Sequence, residues 1–167
     1  LNAGAFGFST SRTPVHRSKS GELVPGTTAG DDELFGIAQA IQSAGGGTFQ
    51  FAPEHVRLVS EEWPWMREIT KLYPDVTVSV NLNQPVEGPH IWKDVLKLLD
   101  EDVRNGRNII AQVAGRSIGM MVSLESSYHP LMLHPAFAEI AHLPMKDIVR
   151  ALNESGRRER IINEVPN

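Results

Sequence analysis

The feature that most constrains this chain is a rhythm. Strand-like runs start near residues 4, 48, 76 and 108, and a helix-like run separates each from the next. Residues 3–9 are small and apolar, with Gly4 and Gly7 inside. "TFQFA" (48–52) is short, "VTVSVNL" (76–82) alternates and is β-rich, and "NIIAQVAG" (108–115) is the fourth run. Leu34, Ile37, Ala38 and Ile41 fall at i, i+3, i+4 and i+7, with Thr or Asp caps before them and "AGGG" to stop the helix. A second helix begins at Ser60, carries the stripe Trp65, Met66, Ile69 and Tyr73, and tolerates Pro64 in its first turn. A third buries Trp92, Val95, Leu96, Leu99 and Val103. This βαβαβαβ order predicts a parallel sheet with right-handed crossovers. Two α/β architectures satisfy it: part of a (β/α)8 barrel, of about four strands, or a flavodoxin-like open sheet. Residues 1–167 read as a single α/β unit, in which 116–167 are mainly loop and short helices. Pro144 parts two of these, and Met145, Ile148, Val149 and Leu152 stripe the second.

Composition narrows the function. A net charge of −4 gives no electrostatic reason to expect nucleic acid or an anionic membrane as partner. With no cysteine, disulfides and thiolate metal ligands are excluded from these residues. No apolar run approaches the ~18 residues of a membrane span, and the expected location is cytoplasmic.

Both architectures place ligands at the C-terminal ends of the strands, and polar residues follow each strand here. Ser9, Thr10, Ser11 and Arg12 follow the first, Glu54 and His55 the second, Asn81, Asn83 and Gln84 the third, Arg116 and Ser117 the fourth. Arg12 and Arg116 suit a carboxylate, since the guanidinium fork binds two oxygens; a salt bridge to a loop acid such as Asp31 or Glu54 is the alternative for each. His16 shares its loop with Arg12, and Tyr128 and His129 of "ESSYHP" are candidates to reach a cleft. Six histidines form no HxH, HxxxH or HExxH pattern, so no zinc site is expected within the chain. No phosphate loop and no G-x-S-x-G elbow occur.

The stretches "AGAFGFSTSRTPVHRSKSGELVPGT", "AQVAGRSIGMMVSLESSYHP" and "AHLP" resemble the amidohydrolase family that contains the D-aminoacylases, the N-acyl-D-amino-acid deacylases. The resemblance covers nearly the whole chain, but only the middle third of such a protein. It implies a metal-dependent barrel that hydrolyses an amide with zinc-activated water. The chain is then an internal piece of it, inactive alone. The family's HxH motif, bridging ligand and late-strand aspartate have no counterpart here. Two histidine ligands expected at the second and third strand ends fall on Ala52 (or Phe51) and Asn81. No cofactor is thus expected in this chain, and zinc is expected in a full-length parent. Arg12, His16, Asn81, Arg116, Tyr128 and His129 are the expected substrate-binding residues, for a small N-acylated amino acid. The rival expectation is a self-standing, non-catalytic module binding a small anion at the same strand ends. A partial barrel is further expected to keep the rest of its parent chain as partner. Otherwise it self-associates as a symmetric dimer hiding Phe8, Phe49, Phe51, Val78 and Ile110.

Overall fold

The computed structural model describes residues 1–85 and 87–166. The chain packs as two compact units. The first comprises Leu1–His16 and Leu23–Ile118; the second joins Arg17–Glu22 to residues from Gly119 onward. In the first unit, β1 (Gly7–Ser11), β2 (Gly47–Ala52), β3 (Val76–Asn81) and β4 (Ile109–Gln112) form one parallel sheet, ordered β1-β2-β3-β4. Between them run α1 (Asp31–Ser43), α2 (Trp63–Leu72) and α3 (Ile91–Arg104). The expected alternation is therefore the fold. Strand order follows chain order, as it does round a barrel, whereas a doubly wound sheet reverses part-way.

A side-chain period of two decides which face the helices cover. Phe49 and Phe51 of β2, and Val76, Val78 and Val80 of β3, have no exposed surface. Register sets Phe49 beside Val78, Phe51 beside Val80 and Val78 beside Ile109. These side chains cluster with Leu34, Ala38 and Ile41 of α1, Trp63, Trp65, Met66 and Ile69 of α2, and Val95 of α3. All three helices thus cover one face. Phe49, Phe51 and Val78 lie under them, so these three are not surfaces that a dimer would need to hide.

The other face carries the alternate residues. Ser9, Gln50, Ser79 and Ile110 form one register row; Ser11 beside Ala52 and Asn81 beside Gln112 form the next. Ile110 is the one large apolar side chain in these rows.

Local chemistry sets the element ends. β1 starts later than the sequence pattern implies, because Leu1–Gly4 form a turn: Gly4, at φ 97°, donates its N–H to the Leu1 carbonyl at 2.8 Å. α1 is preceded by Gly30, without a side-chain cap; Asp31, Asp32 and Glu33 instead meet the positive end of its dipole. A 3₁₀ turn (His55–Arg57) and a π turn (Leu58–Glu62) lead into α2, with Pro64 in its first turn as expected. Asp102 of α3 is buried and accepts from Trp63 Nε1 at 2.7 Å and from Arg67 Nε, which locks α2 to α3. Only part of the expected α3 stripe is covered: Val95 is buried, but Leu96 and Val103 are exposed.

In the second unit, α4 (Pro135–Ala138) and α5 (Met145–Leu152) gather around Phe137, Ile140, Ile148 and Ala151, and α6 (Ser155–Asn163) lies against both helices. Val149, expected in the α5 stripe, is exposed. Arg160 and Arg157 both bond Glu139 and hold its carboxyl down at about 2. No described helix is long and apolar enough to cross a membrane.

Gly7 is required by close approach. A Cβ there would collide with the Thr48 carbonyl oxygen across the β1–β2 ladder. Gly7→Ala is expected to cost about 1–3 kcal/mol through this overpacking, measured by urea unfolding. A variant as stable as the parent chain would show that β1 does not dock in this register.

Candidate functional site

The strand ends open into a cleft of about 570 Å³ whose lining includes Ser9, Ser11, His16, Glu33, Gln50 and Asn81. All of these belong to the first unit. The open face supplies its floor. Ser9 Oγ donates to Gln50 Oε1, and Gln50 Nε2 donates to Asn81 Oδ1 at 3.3 Å, so one chain of hydrogen bonds crosses three strands. Ser79, in the same register row as Gln50, is fully buried, and its Oγ has no partner among the described residues. His16 returns to the strand end on its loop, with Nδ1 2.8 Å from Ser11 Oγ. Such a pair can pass a proton between imidazole and hydroxyl. No lysine or arginine lines the cleft, and Glu33 is its one carboxylate.

Arg12 is placed otherwise than the sequence suggests. Its side chain is only 16% exposed and its Nε donates to Glu62 at 3.3 Å. Its Nη1 donates to the carbonyls of Ala29 (2.6 Å) and Gly26 (3.3 Å). Glu62 is itself buried and also accepts from Trp65 Nε1 at 2.7 Å. The salt-bridge alternative describes Arg12, but the acid is Glu62 rather than Asp31 or Glu54. Arg12 thus pins the loop 26–29 to the entry of α2.

A second pair lies beyond β2 and β3. His55 Nε2 is 2.9 Å from Asn83 Nδ2, so the ring nitrogen accepts the amide proton. Burial pushes the His55 pKa down and, just before it, pushes the Glu54 carboxyl up, with Arg57 opposing. Arg116 is exposed on the segment after β4, with no hydrogen bond or ion pair found among the described residues. Tyr128, half-buried, and His129 belong to the second unit. There His129 is buried edge-on against Phe137, ring centroids 4.8 Å apart, and burial lowers its pKa. Of the six expected binding residues, the cleft itself brings together His16 and Asn81. Gln50 and Ser79 went unselected in the sequence. Their signal was a polar residue at alternate positions inside otherwise apolar strands.

The two positions where the family resemblance expects histidine ligands offer no free zinc donor. Phe51 is turned to the helix face, Ala52 offers no donor, and the Asn81 carbonyl is engaged by Gln50. Among the described residues no group of three or more His, Cys, Asp or Glu is placed to hold a metal.

Two outcomes follow. Arg12→Met strands the buried Glu62 carboxylate and is expected to cost about 3–5 kcal/mol of stability; unchanged stability by chemical denaturation would contradict the pin. The second concerns pH. His55, held below its ordinary 6.5, binds fewer protons folded than unfolded. Its contribution to stability is full above pH 6.5 and is lost as pH falls below it, with buried His129 acting in the same direction. His55→Asn should therefore shrink the stability difference between about pH 7.5 and about pH 5.5; an unaltered difference would count against it.

Searches of protein-family models, of curated proteins and of solved structures each return no match to this chain.

Proposed function

We propose that the strand-end cleft binds an N-acylated amino acid, as the substrate side of an amidohydrolase-like barrel that hydrolyses an amide. One observation carries this reading. The cleft floor is a row of uncharged hydroxyl and amide groups, Ser9, Gln50 and Asn81, while the cation Arg116 follows β4 unengaged by any carboxylate among the described residues. An N-acyl amino acid carries the matching groups: an amide to exchange hydrogen bonds with the row, and a carboxylate for the Arg116 fork. Its D configuration and the zinc of a longer parent come from the family resemblance. In the hydrolysis, water oxygen adds to the acyl carbon, the C–N bond breaks, and the nitrogen leaves with a proton. His16, bonded to Ser11, is the group here able to hold or pass a proton. The residues of this chain bind and orient; the remaining chemistry belongs to the parent. A site for a bare anion has less support, since Arg12 is consumed by Glu62 and the cleft floor itself is a row of uncharged hydroxyl and amide groups.

Calorimetric titration with N-acetyl-D-amino acids, their L forms and acetate tests the reading. The D compounds should bind, acetate should not, and the chain should show no turnover. Loss of one charge-assisted contact, about 1.5–3 kcal/mol, predicts a ~10–150-fold weaker Kd for Arg116→Ala. Equal affinity for acetate, or affinity untouched by both Arg116→Ala and Asn81→Ala, would remove the proposal.

A further inference from the structure

The first unit has two uncovered flanks, and their chemistry differs from that of its open face. Beside β1, Phe6 is 93% exposed and Phe8 41%. Phe8 lines an apolar groove of about 530 Å³ together with Leu1, Ile37 and Ile41. Beside β4, Val113 is 71% exposed and Ile110 47%. A second groove there, of about 330 Å³, is lined by Leu82, Trp92, Leu96 and Val113. Each flank also ends in a strand, β1 or β4, with one unpaired backbone edge within the sheet. The open face between them is polar, apart from Ile110. Apolar surface and unmade hydrogen bonds thus lie at the two sides, which is where a barrel strand meets its neighbours.

We propose that this chain, on its own, completes its barrel with a second copy of itself, in place of neighbouring strands supplied by a longer chain. Four strands in sequential order are half of an eight-stranded ring. A two-fold axis along the ring sets β1 of each copy beside β4 of the other, all strands staying parallel. Both edges of both copies are then paired, and the polar face becomes the lumen. Two identical junctions form at once, so each needs only about 600 Å² to reach the roughly 1,200 Å² of a stable interface. Charge agrees with this pairing. Glu33 lines the cleft at the β1 end and Arg116 follows β4; neither finds an ion partner within the described residues, and closure sets them on facing copies. The cleft, lined from β1 by Ser9 and Ser11, gains the β4 end of the second copy beside that strand, with Gln112 and Arg116. This inference rests on the fold and not on the identity of the ligand, and its readout needs none.

Sedimentation equilibrium of the whole chain should give twice 18.4 kDa at micromolar concentration. Phe6→Asp and Val113→Lys alter exposed side chains on opposite flanks, and circular dichroism checks that each still folds. Each alone spoils both junctions and should be monomeric. An equimolar mixture restores one native junction and pairs Asp with Lys at the other, so it should dimerise. A monomeric parent chain at every concentration, open-ended oligomers, a dimer that survives either substitution, or a mixture that stays monomeric would each overturn the proposal.

Discussion

Everything in the first unit depends on one constraint: in a strand, neighbouring side chains point to opposite faces. β2 and β3 put aromatic and β-branched residues on one parity and hydroxyl, amide or small residues on the other. The apolar parity demands cover, and α1, α2 and α3 supply it from a single side. Sequential strand order follows, because right-handed crossovers that never change direction stack every helix on the same face. The bare face is left polar by the same alternation; Ser9, Gln50 and Asn81 bond one another across the sheet, while the buried Ser79 Oγ has no partner among the described residues.

Parity also explains why one strand-end arginine is structural. Phe8 and Thr10 are registered with Phe49 and Phe51, on the helix side. Arg12 extends this series, and its backbone N–H still bonds the Ala52 carbonyl at 2.8 Å, so the ladder has not yet ended. Its side chain therefore emerges among the helices, where Glu62 waits with Trp65. Ser9 and Ser11 have the opposite parity and face the cleft. A guanidinium so engaged has exchanged its water for one carboxylate and two carbonyls, and it is pre-committed to holding the loop.

The alternation of elements and the "AGGG" stop of α1 were legible because each rests on a short-range rule of period or backbone freedom; the alternation within β2 and β3 was legible too, but not which parity the helices cover. Two things were not. The buried stripe of α3 looked complete in sequence, since Leu96 and Val103 have the right spacing; spacing fixes which residues share a side, and not whether anything packs against it. Likewise Arg12 was legible as a choice between ligand and salt bridge. Its true partner lies fifty residues away, beyond a π turn that no local pattern announces. The polar row of the open face was readable in principle: "FQF" and "VSVN" each set a polar residue at the parity opposite the buried ones.

The electrostatics of the strand ends then orient the proposed ligand. At β1 and β3 the groups are hydroxyls, amides and an imidazole. At β2, burial biases both Glu54 and His55 toward their uncharged forms, and Asn83 donates to the neutral His55 ring. A carboxylate placed over β1–β3 would give up its hydration for hydrogen bonds alone, with Glu33 nearby to repel it. Over β4 it meets Arg116, a cation that has kept its own water and loses less by exchanging it for a carboxylate fork. The amide, which is neutral and both donates and accepts, would lose less across Gln50 and Asn81, whose side-chain amides keep N–H groups beyond the bonds they make to each other. The proposed ligand would therefore point its acid toward β4 and its acyl group toward β1, where Ser11 Oγ and His16 Nδ1 lie 2.8 Å from one another.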